Sequence, residues 1–291
     1  KMTDKPATLT ELRNEIDRID TLMHDLIMER TLVVDAVKQV KEGERVKIRP
    51  GREAEMLYRL SARHNGKFPK QALFRIWREM ISGTLTIEGP FCVAILTPDN
   101  KTGYVDLARD HYGGYTDIST HETTQDVISA VATDQAAIGV LPFPAQDTPD
   151  DWWQYLPAPN QDTDGIKIIA RLPFFGRSSA PGRNLDALVI SYAEPVKAGR
   201  DISLFAFKAT SGTSTPDIAA AFKQHDMTTQ TIIASPRKGN EDSKVLVEVK
   251  GFHDGAGMKL SHIANDINWL GSYSAPIEDD ELYANITETQ E

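Results

Sequence analysis

The sequence has little of what several classes of protein require. Cys92 is the only cysteine among 291 residues, so an intramolecular disulfide is excluded. The seven histidines are scattered without the spacing of metal ligands, and we expect neither a metal site nor a cofactor. No apolar run approaches the roughly 18 residues of a membrane-spanning helix, and no signal peptide is recognisable. We therefore expect a cytoplasmic protein.

Positive charge is scarce in most of the chain. The formal net charge is −10, with 32 Lys and Arg against 42 Asp and Glu. Residues 1–90 carry 17 basic and 14 acidic residues, a balance of +3, so residues 91–291 carry −13. An acidic remainder argues against nucleic acid or an anionic membrane as a partner, whereas the mildly basic first part suits a small anionic molecule.

A long amphipathic segment occupies residues 9–44. Its apolar residues recur every three or four positions, which predicts one helix of about 35 residues, roughly 50 Å long. The stripe consists of Leu9, Leu12, Ile16, Ile19, Leu22 or Met23, Leu26, Val33, Val37 and Val40. A helix of this length cannot bury its stripe alone, so we expect it to lie along other helices or a second copy of itself.

The cations of this helix fall into two groups. Arg13 and Arg30 are 17 residues apart, about 25 Å along the axis, so one small ligand cannot contact both. Arg30 and Lys41 are 11 residues apart, on nearly the same face and about 16 Å apart along the axis, so their side chains can converge on one small anion. Arg13 would then serve a second pocket, in a partner chain.

Two shorter helices are predicted at residues 52–63 and 70–86, and Gly89 and Pro90 end the helical part. The pattern then becomes α/β. Strands are expected at 92–96, 116–120, 136–141, 166–172 and 185–191, with helices at 104–112 and 123–133. The last part has the order strand, helix, strand, strand, helix, strand. Its strands are expected at 202–209, 229–234, 245–249 and 269–273, with helices from Thr215 through Phe222 and at 258–268.

The N-terminal motifs resemble the all-helical class of chorismate mutases. They are Leu12-Arg13 with Ile16-Asp17 and Ile19-Asp20, Glu29-Arg30, Lys38 with Lys41, Arg49 with Arg52-Glu53, and the third-helix run from Phe74 to Ser82 followed by Thr84 and Glu88. The resemblance implies a homodimer of interlocked three-helix chains, in which each pocket takes one arginine from the neighbour. It also implies the conversion of chorismate to prephenate.

The resemblance assigns a role to each polar residue of the pocket. Arg30 and the partner's Arg13 would bind the two carboxylates of chorismate. Lys41 would donate to the ether oxygen, with Glu88 donating from the other side.

Three further positions complete the implied pocket. Arg52, Glu53 and Thr84 match positions that contact the ring hydroxyl and a carboxylate. Arg49 stands where well-known members have an aspartate, so its role stays open. Lys38 we interpret as a surface lysine.

The rest of the chain resembles the dehydratase and regulatory parts of bifunctional chorismate mutase–prephenate dehydratases. The matching features include Gly89-Pro90, the strand end at Pro142, Ser235-Pro236-Arg237 and Leu270-Gly271-Ser272-Tyr273. The last part is similar to an ACT-type βαββαβ domain. We therefore predict a helical mutase domain at 1–89, a truncated dehydratase-like α/β domain at 90–198, an ACT-like domain at 199–277 and a mobile acidic tail at 278–291.

Several departures from this family bear on function. The chain between Pro142 and Ile202 has room for little of the second dehydratase lobe, and Leu185-Asp186-Ala187 replaces the family's Thr-Arg-Phe. The effector motifs are unmatched, at Thr215-Pro216-Asp217-Ile218 and Ala234-Ser235-Pro236-Arg237. We predict a mutase with a catalytically silent dehydratase-like region. The alternatives are a bifunctional enzyme and a non-catalytic amino-acid-sensing or scaffold protein.

Overall fold

The computed structural model describes most of the chain. The described residues are 8–40, 43, 45–98, 102–145, 150–157, 165–176, 185–234, 243–255, 258–260, 263–264 and 266–283. Within them, three helices precede an α/β body built on one nine-stranded sheet. The predicted order of a helical part followed by an α/β part is therefore confirmed.

The three N-terminal helices are α1 (Leu9–Val40), α2 (Pro50–Arg63) and α3 (Lys70–Glu88). At the start of α1, the backbone N–H of Thr8 donates to Glu11 at 2.7 Å and the N–H of Glu11 donates to the Thr8 hydroxyl at 3.3 Å. This reciprocal pair is a capping box, and it explains why the helix begins there. Pro50 occupies the first turn of α2, where a missing N–H costs nothing.

The first part of the body is a parallel α/β unit. It contains β1 (Cys92–Leu96), α4 (Gly103–Tyr112), β2 (Asp117–His121), α5 (Thr124–Ala132) and β3 (Ile138–Pro142). β1 lies between β2 and β3 and pairs with both in parallel. The strands β1 and β3 are rich in buried aliphatic residues, as expected for strands covered on both faces, whereas β2, at the edge of the sheet, buries none of its residues.

Two further strands extend this sheet. They are β4 (Lys167–Leu172) and β5 (Ala187–Ser191), which pair with each other antiparallel, and β5 also pairs with β3. In the described residues between β3 and position 201, both strands join the existing sheet, and no second sheet forms.

The last part contains β6 (Asp201–Ala209), α6 (Thr215–Lys223), β7 (Thr229–Ala234), β8 (Ser243–Lys250) and β9 (Ile267–Ser274). The strands lie in the order β9-β6-β8-β7, all antiparallel, as in a split βαββαβ unit. The predicted helix at 258–268 is wrong in the described residues. Ile267 and Asn268 belong to β9, where they pair with Phe207 and Ala206 of β6. Pairing with β6 therefore places in a strand two residues that the sequence pattern assigned to a helix.

The two halves of the sheet meet at Gly271. Ile168 of β4 pairs in parallel with Gly271 of β9. Gly271 has a φ of +136°, and an added Cβ would lie 2.2 Å from the carbonyl oxygen of Ile168. Only glycine permits this approach, so one sheet runs across the predicted boundary at residue 198. The domain boundaries themselves stay predictions.

The acidic tail begins as ordered structure. Asp279–Tyr283 forms a short helix, α7, and Leu282 is buried beside the three-helix part. Arg200 forms two hydrogen bonds to Glu281, at 2.8 and 2.9 Å, and they lower the pKa of that carboxyl. The prediction of a mobile tail is therefore wrong for residues 278–283, because one apolar side chain and one ion pair fix it. Residues 284–291 lie outside the described residues.

Candidate active site

Helix α1 is unusual because it buries none of its side chains, although the structure describes all of Leu9–Val40. Leu12, Ile16 and Leu26 are each exposed by more than half. Arg13 is exposed and Arg30 is half-exposed. Soluble monomers rarely leave so long an apolar stripe in water, so the stripe has the character of an interface.

The C-terminal end of α1 lies against the C-terminal end of α3. Lys38 donates from Nζ to the carbonyl oxygen of Ile87 at 2.7 Å, and its side chain is half-buried. The interpretation of Lys38 as a surface lysine is therefore wrong, because it binds one of the free carbonyls at a helix end.

This contact gives a reference point for the distances between the candidate residues. Arg30 is 8 residues from Lys38, about 12 Å along the axis, and Glu88 directly follows Ile87 in the chain. Arg13 is 25 residues from Lys38, about 38 Å away along the same helix. The structure therefore separates Arg13 from the other candidate residues of its own chain. Lys41 lies outside the described residues.

The start of α2 carries two candidate arginines. Arg49, at the N-cap, donates from Nη1 to the carbonyl oxygens of Val46 and Ile48 at 3.0 and 3.1 Å. Arg52 is mostly exposed and pairs with Glu55 at 3.2 Å. Both arginines line a cleft of about 170 Å³ between α2 and the end of β9. Arg52 is thus accessible to an anionic ligand, whereas Arg49 also organises the turn before α2.

Glu53 points away from solvent toward α3. Its Oε2 accepts a hydrogen bond from Nη1 of Arg78 at 2.7 Å, and the two side chains are 11% and 1% exposed. The Arg78 Nε also donates to the backbone carbonyl of His111 at 2.6 Å. Sequence reasoning gave Arg78 no role. The signal that could have revealed it is an arginine on the inward face of an otherwise apolar helix.

The end of α3 carries Thr84 and Glu88. The Thr84 hydroxyl donates to the carbonyl oxygen of Ile81 at 2.7 Å, which leaves its lone pairs as acceptors. Oε2 of Glu88 is buried and has no hydrogen-bond partner within the described part of the chain. An unpaired buried oxygen is costly, and such atoms concentrate at sites that receive a ligand or a partner.

The position of the dehydratase motif is occupied by an ion pair. Asp186 accepts a hydrogen bond from Nη2 of Arg171 at 2.7 Å, and the Arg171 guanidinium lies 4.3 Å from the ring of Phe143. Arg171 also contacts the hydroxyl of Tyr273, which donates to Glu248 at 2.5 Å. Although burial disfavours its charge, these partners hold the pKa of Arg171 above its ordinary value.

The other predicted motifs of the α/β part have local roles or are not described. Ser214 and Asp217 form a capping box at the start of α6, with Pro216 in its first turn. Residues 235–242 lie outside the described residues. Among the residues that are described, no group of metal-ligating side chains occurs. No helix in those same ranges has the length and hydropathy needed to cross a membrane.

Comparison with known proteins finds a family match in the N-terminal helices and several relatives. Residues 12–89 match the family described as chorismate mutase type II. A bifunctional chorismate mutase/prephenate dehydratase of Aquifex aeolicus is 35% identical over 139 residues, which is 46% of this chain and 38% of that protein. The protein of the same description from Neisseria gonorrhoeae is 32% identical over 130 residues, covering 45% and 35%.

A solved prephenate dehydratase from Streptococcus mutans superposes on 64% of this chain and 98% of its own, with 13% identity and a TM-score of 0.41. The chain spans less than two fifths of the length of the bifunctional relatives described above. The family match covers every candidate pocket residue from Arg13 to Glu88. The similarity to the chorismate mutase type II family therefore lies in residues 12–89.

Proposed function

We propose that this chain is a chorismate mutase that works as a homodimer with two shared pockets, and that its dehydratase-like region is catalytically silent. The observation that carries the proposal is the family match over residues 12–89, within which all the candidate pocket residues fall. The contact between α1 and α3 supports it, because Lys38 near the end of α1 binds the carbonyl of Ile87, the residue before Glu88.

The residue types suit the chemistry of this reaction. Chorismate rearranges to prephenate in one pericyclic step, so the protein needs neither a nucleophile nor a metal. The rate gain comes from holding a flexible dianion in its compact conformer and from stabilising the charge that develops on the ether oxygen. Arg30 and the partner's Arg13 would each bind one of the two carboxylates, since a guanidinium binds a carboxylate with two parallel hydrogen bonds. Lys41 would donate to the ether oxygen.

The geometry of α1 supports the proposed dimer. A rigid helix keeps Arg13 about 38 Å from the contact at Lys38, so the chain's own Arg13 cannot complete its own pocket. Its exposed stripe offers a self-complementary surface, and a twofold axis would bring the Arg13 of one copy toward the Arg30 of the other. One symmetric contact then covers the apolar stripe and completes both pockets.

The ion pair between Arg171 and Asp186 supports the proposal that the α/β region has no dehydratase activity. A dehydratase pocket of this type would need a free cation for its substrate's carboxylate, but Arg171, which lies beside the position of the motif, is paired with Asp186. In addition, the described parts of β4 and β5 extend the first sheet, and they leave no separate lobe to close over a substrate.

The test is an assay of chorismate loss by absorbance, with and without acid conversion of the product to phenylpyruvate. We expect chorismate loss with phenylpyruvate appearing only after acid treatment. Phenylpyruvate formed at neutral pH, and abolished by Arg171→Ala, would establish the bifunctional alternative. Chorismate binding without turnover would establish the non-catalytic alternative.

Glu88 gives a prediction on pH dependence. A carboxyl donates a hydrogen bond only when protonated, whereas glutamine donates at every pH and has nearly the same shape. If Glu88 donates to the ether oxygen, Glu88→Gln should keep activity at mildly acidic pH and flatten the alkaline decline of kcat/KM. The measurement is kcat/KM from mildly acidic to mildly alkaline pH for both proteins. Parallel profiles would show that Glu88 is not the donor to the ether oxygen.

A further inference from the structure

One buried cation joins the mutase helices to the α/β body. Arg78 is 1% exposed, and it bonds to Glu53 at the start of α2 and to the carbonyl of His111 in the last turn of α4. Its Nη2 has no hydrogen-bond partner among the described residues. A single guanidinium thus fixes the distance between α2 and the end of α4.

The groups around Arg78 compensate its buried charge. A buried arginine is costly unless it is paired, and here Glu53 provides one countercharge and the C-terminal end of α4 a partial one. Burial, and then the charge of Arg78, lower the pKa of His111 well below its ordinary value, so the imidazole is neutral. Burial likewise raises the pKa of Tyr112. Among the described groups that bond to the guanidinium, Glu53 is the carboxylate.

The contacts on either side of Arg78 dock α3 onto the same end of α4. One turn earlier, Arg75 pairs with Asp110 at 3.4 Å. At the next residue, Glu79 accepts from the backbone N–H of Gly114 at 3.1 and 3.3 Å. The position of Arg78 is therefore set by the α/β body and not by the mutase helices alone.

We propose that Arg78 is a positioning residue of the mutase pocket, through which the α/β body holds Glu53 in its binding orientation. This inference rests on the proposed function, in which Glu53 contacts the ring hydroxyl of chorismate. In this arrangement Arg78 holds Oε2 of Glu53, and the other carboxylate oxygen would contact that hydroxyl. Arg52, the residue before Glu53, is carried on the same turn of α2.

Lysine cannot replace arginine in this role. The guanidinium donates in two fixed directions at once, to a carboxylate and to a carbonyl, whereas an ammonium is a point charge on a flexible stem. Arg78→Lys keeps the charge but should hold only one of the two partners. Glu53 would then sample several orientations.

The experiment is a double-mutant cycle on kcat and KM in the full-length chain. Glu53→Gln and Arg78→Lys should each lower kcat/KM by about tenfold or more, since each breaks a charged hydrogen bond. Both should raise KM more than they lower kcat, because the hydroxyl contact exists in ground and transition states alike. In the Glu53→Gln background, Arg78→Lys should add little, because Arg78 acts through Glu53. Arg59→Lys, at an exposed position of α2, is the matched control and should leave both constants unchanged.

A second variant covers the case in which Arg78→Lys does not fold. Arg78→Gln combined with Glu53→Gln buries no unpaired charge, and its kcat/KM should equal that of Glu53→Gln alone. If the effects of the two sites multiply, or if Arg78→Lys keeps a normal kcat/KM, Arg78 is only a stability residue and the inference fails while the proposed function stands. If the unmodified chain does not convert chorismate, the proposed function fails, and this inference fails with it.

Discussion

An equal mixture of Arg13→Ala and Arg30→Ala chains, unfolded and refolded together, is expected to regain about a quarter of the unmodified activity. Each variant alone should lose about a hundredfold in kcat/KM, because a doubly bonded arginine–carboxylate contact is removed from every pocket. Random pairing makes half of the dimers mixed. In a mixed dimer, one pocket combines the intact Arg30 of one chain with the intact Arg13 of the other.

The control for this result is a mixture of Arg13→Ala with the Arg13→Ala/Arg30→Ala double variant. Its mixed dimers contain no Arg13, so no pocket is complete and no activity should return. Subunit exchange is verified by mass spectrometry of differently labelled chains. Equal activity in the test and control mixtures, with exchange established, would exclude a pocket shared between subunits. Full activity of Arg13→Ala alone would exclude a role for Arg13.

The elements that could be predicted from sequence are those fixed by local pattern. The 3-and-4 spacing of α1 and the capping box at Thr8 act over a few residues, so the start of the helix was predicted within one residue. The strands β1, β3 and β5 are short aliphatic runs bounded by turn residues, and nearly all of their residues are buried. The distance between Arg13 and Arg30 could be calculated from the sequence, because it depends only on the rise per residue of a helix.

The elements that sequence missed depend on contacts between distant positions. The strand β9 begins at Ile267 because this residue pairs antiparallel with Phe207 of β6, some sixty residues earlier in the chain. α7 is ordered because Leu282 reaches Phe74 and Phe175. Lys38 and Arg78 were assigned no role because the carbonyls that they bind, of Ile87 and His111, carry no signal in the sequence. Distances of this kind are set by tertiary packing, which overrides local propensity.

The mutase helices share their core with the far end of the chain. Ala54 and Leu57 of α2 and Phe74 of α3 are fully or almost fully buried. The residues that cover them, in the same cluster, are Phe174, Phe175, Ile277 and Leu282. Burying a large apolar side chain contributes about 1.5–3 kcal/mol, so four such contacts amount to much of the roughly 5–15 kcal/mol by which a domain is stable.

A fragment of residues 1–90 is therefore expected to lose most of its chorismate mutase activity and its cooperative unfolding, although it contains every candidate pocket residue. Within the full chain, Leu282→Ala should lower the free energy of unfolding by about 2–5 kcal/mol, while Tyr115→Ser, at an exposed position, should change it by less than about 0.5 kcal/mol. The measurements are thermal unfolding followed by circular dichroism and kcat/KM for chorismate. Should the fragment unfold cooperatively and keep the kcat/KM of the full chain, the C-terminal body would be dispensable, because the helical dimer would then supply its own core.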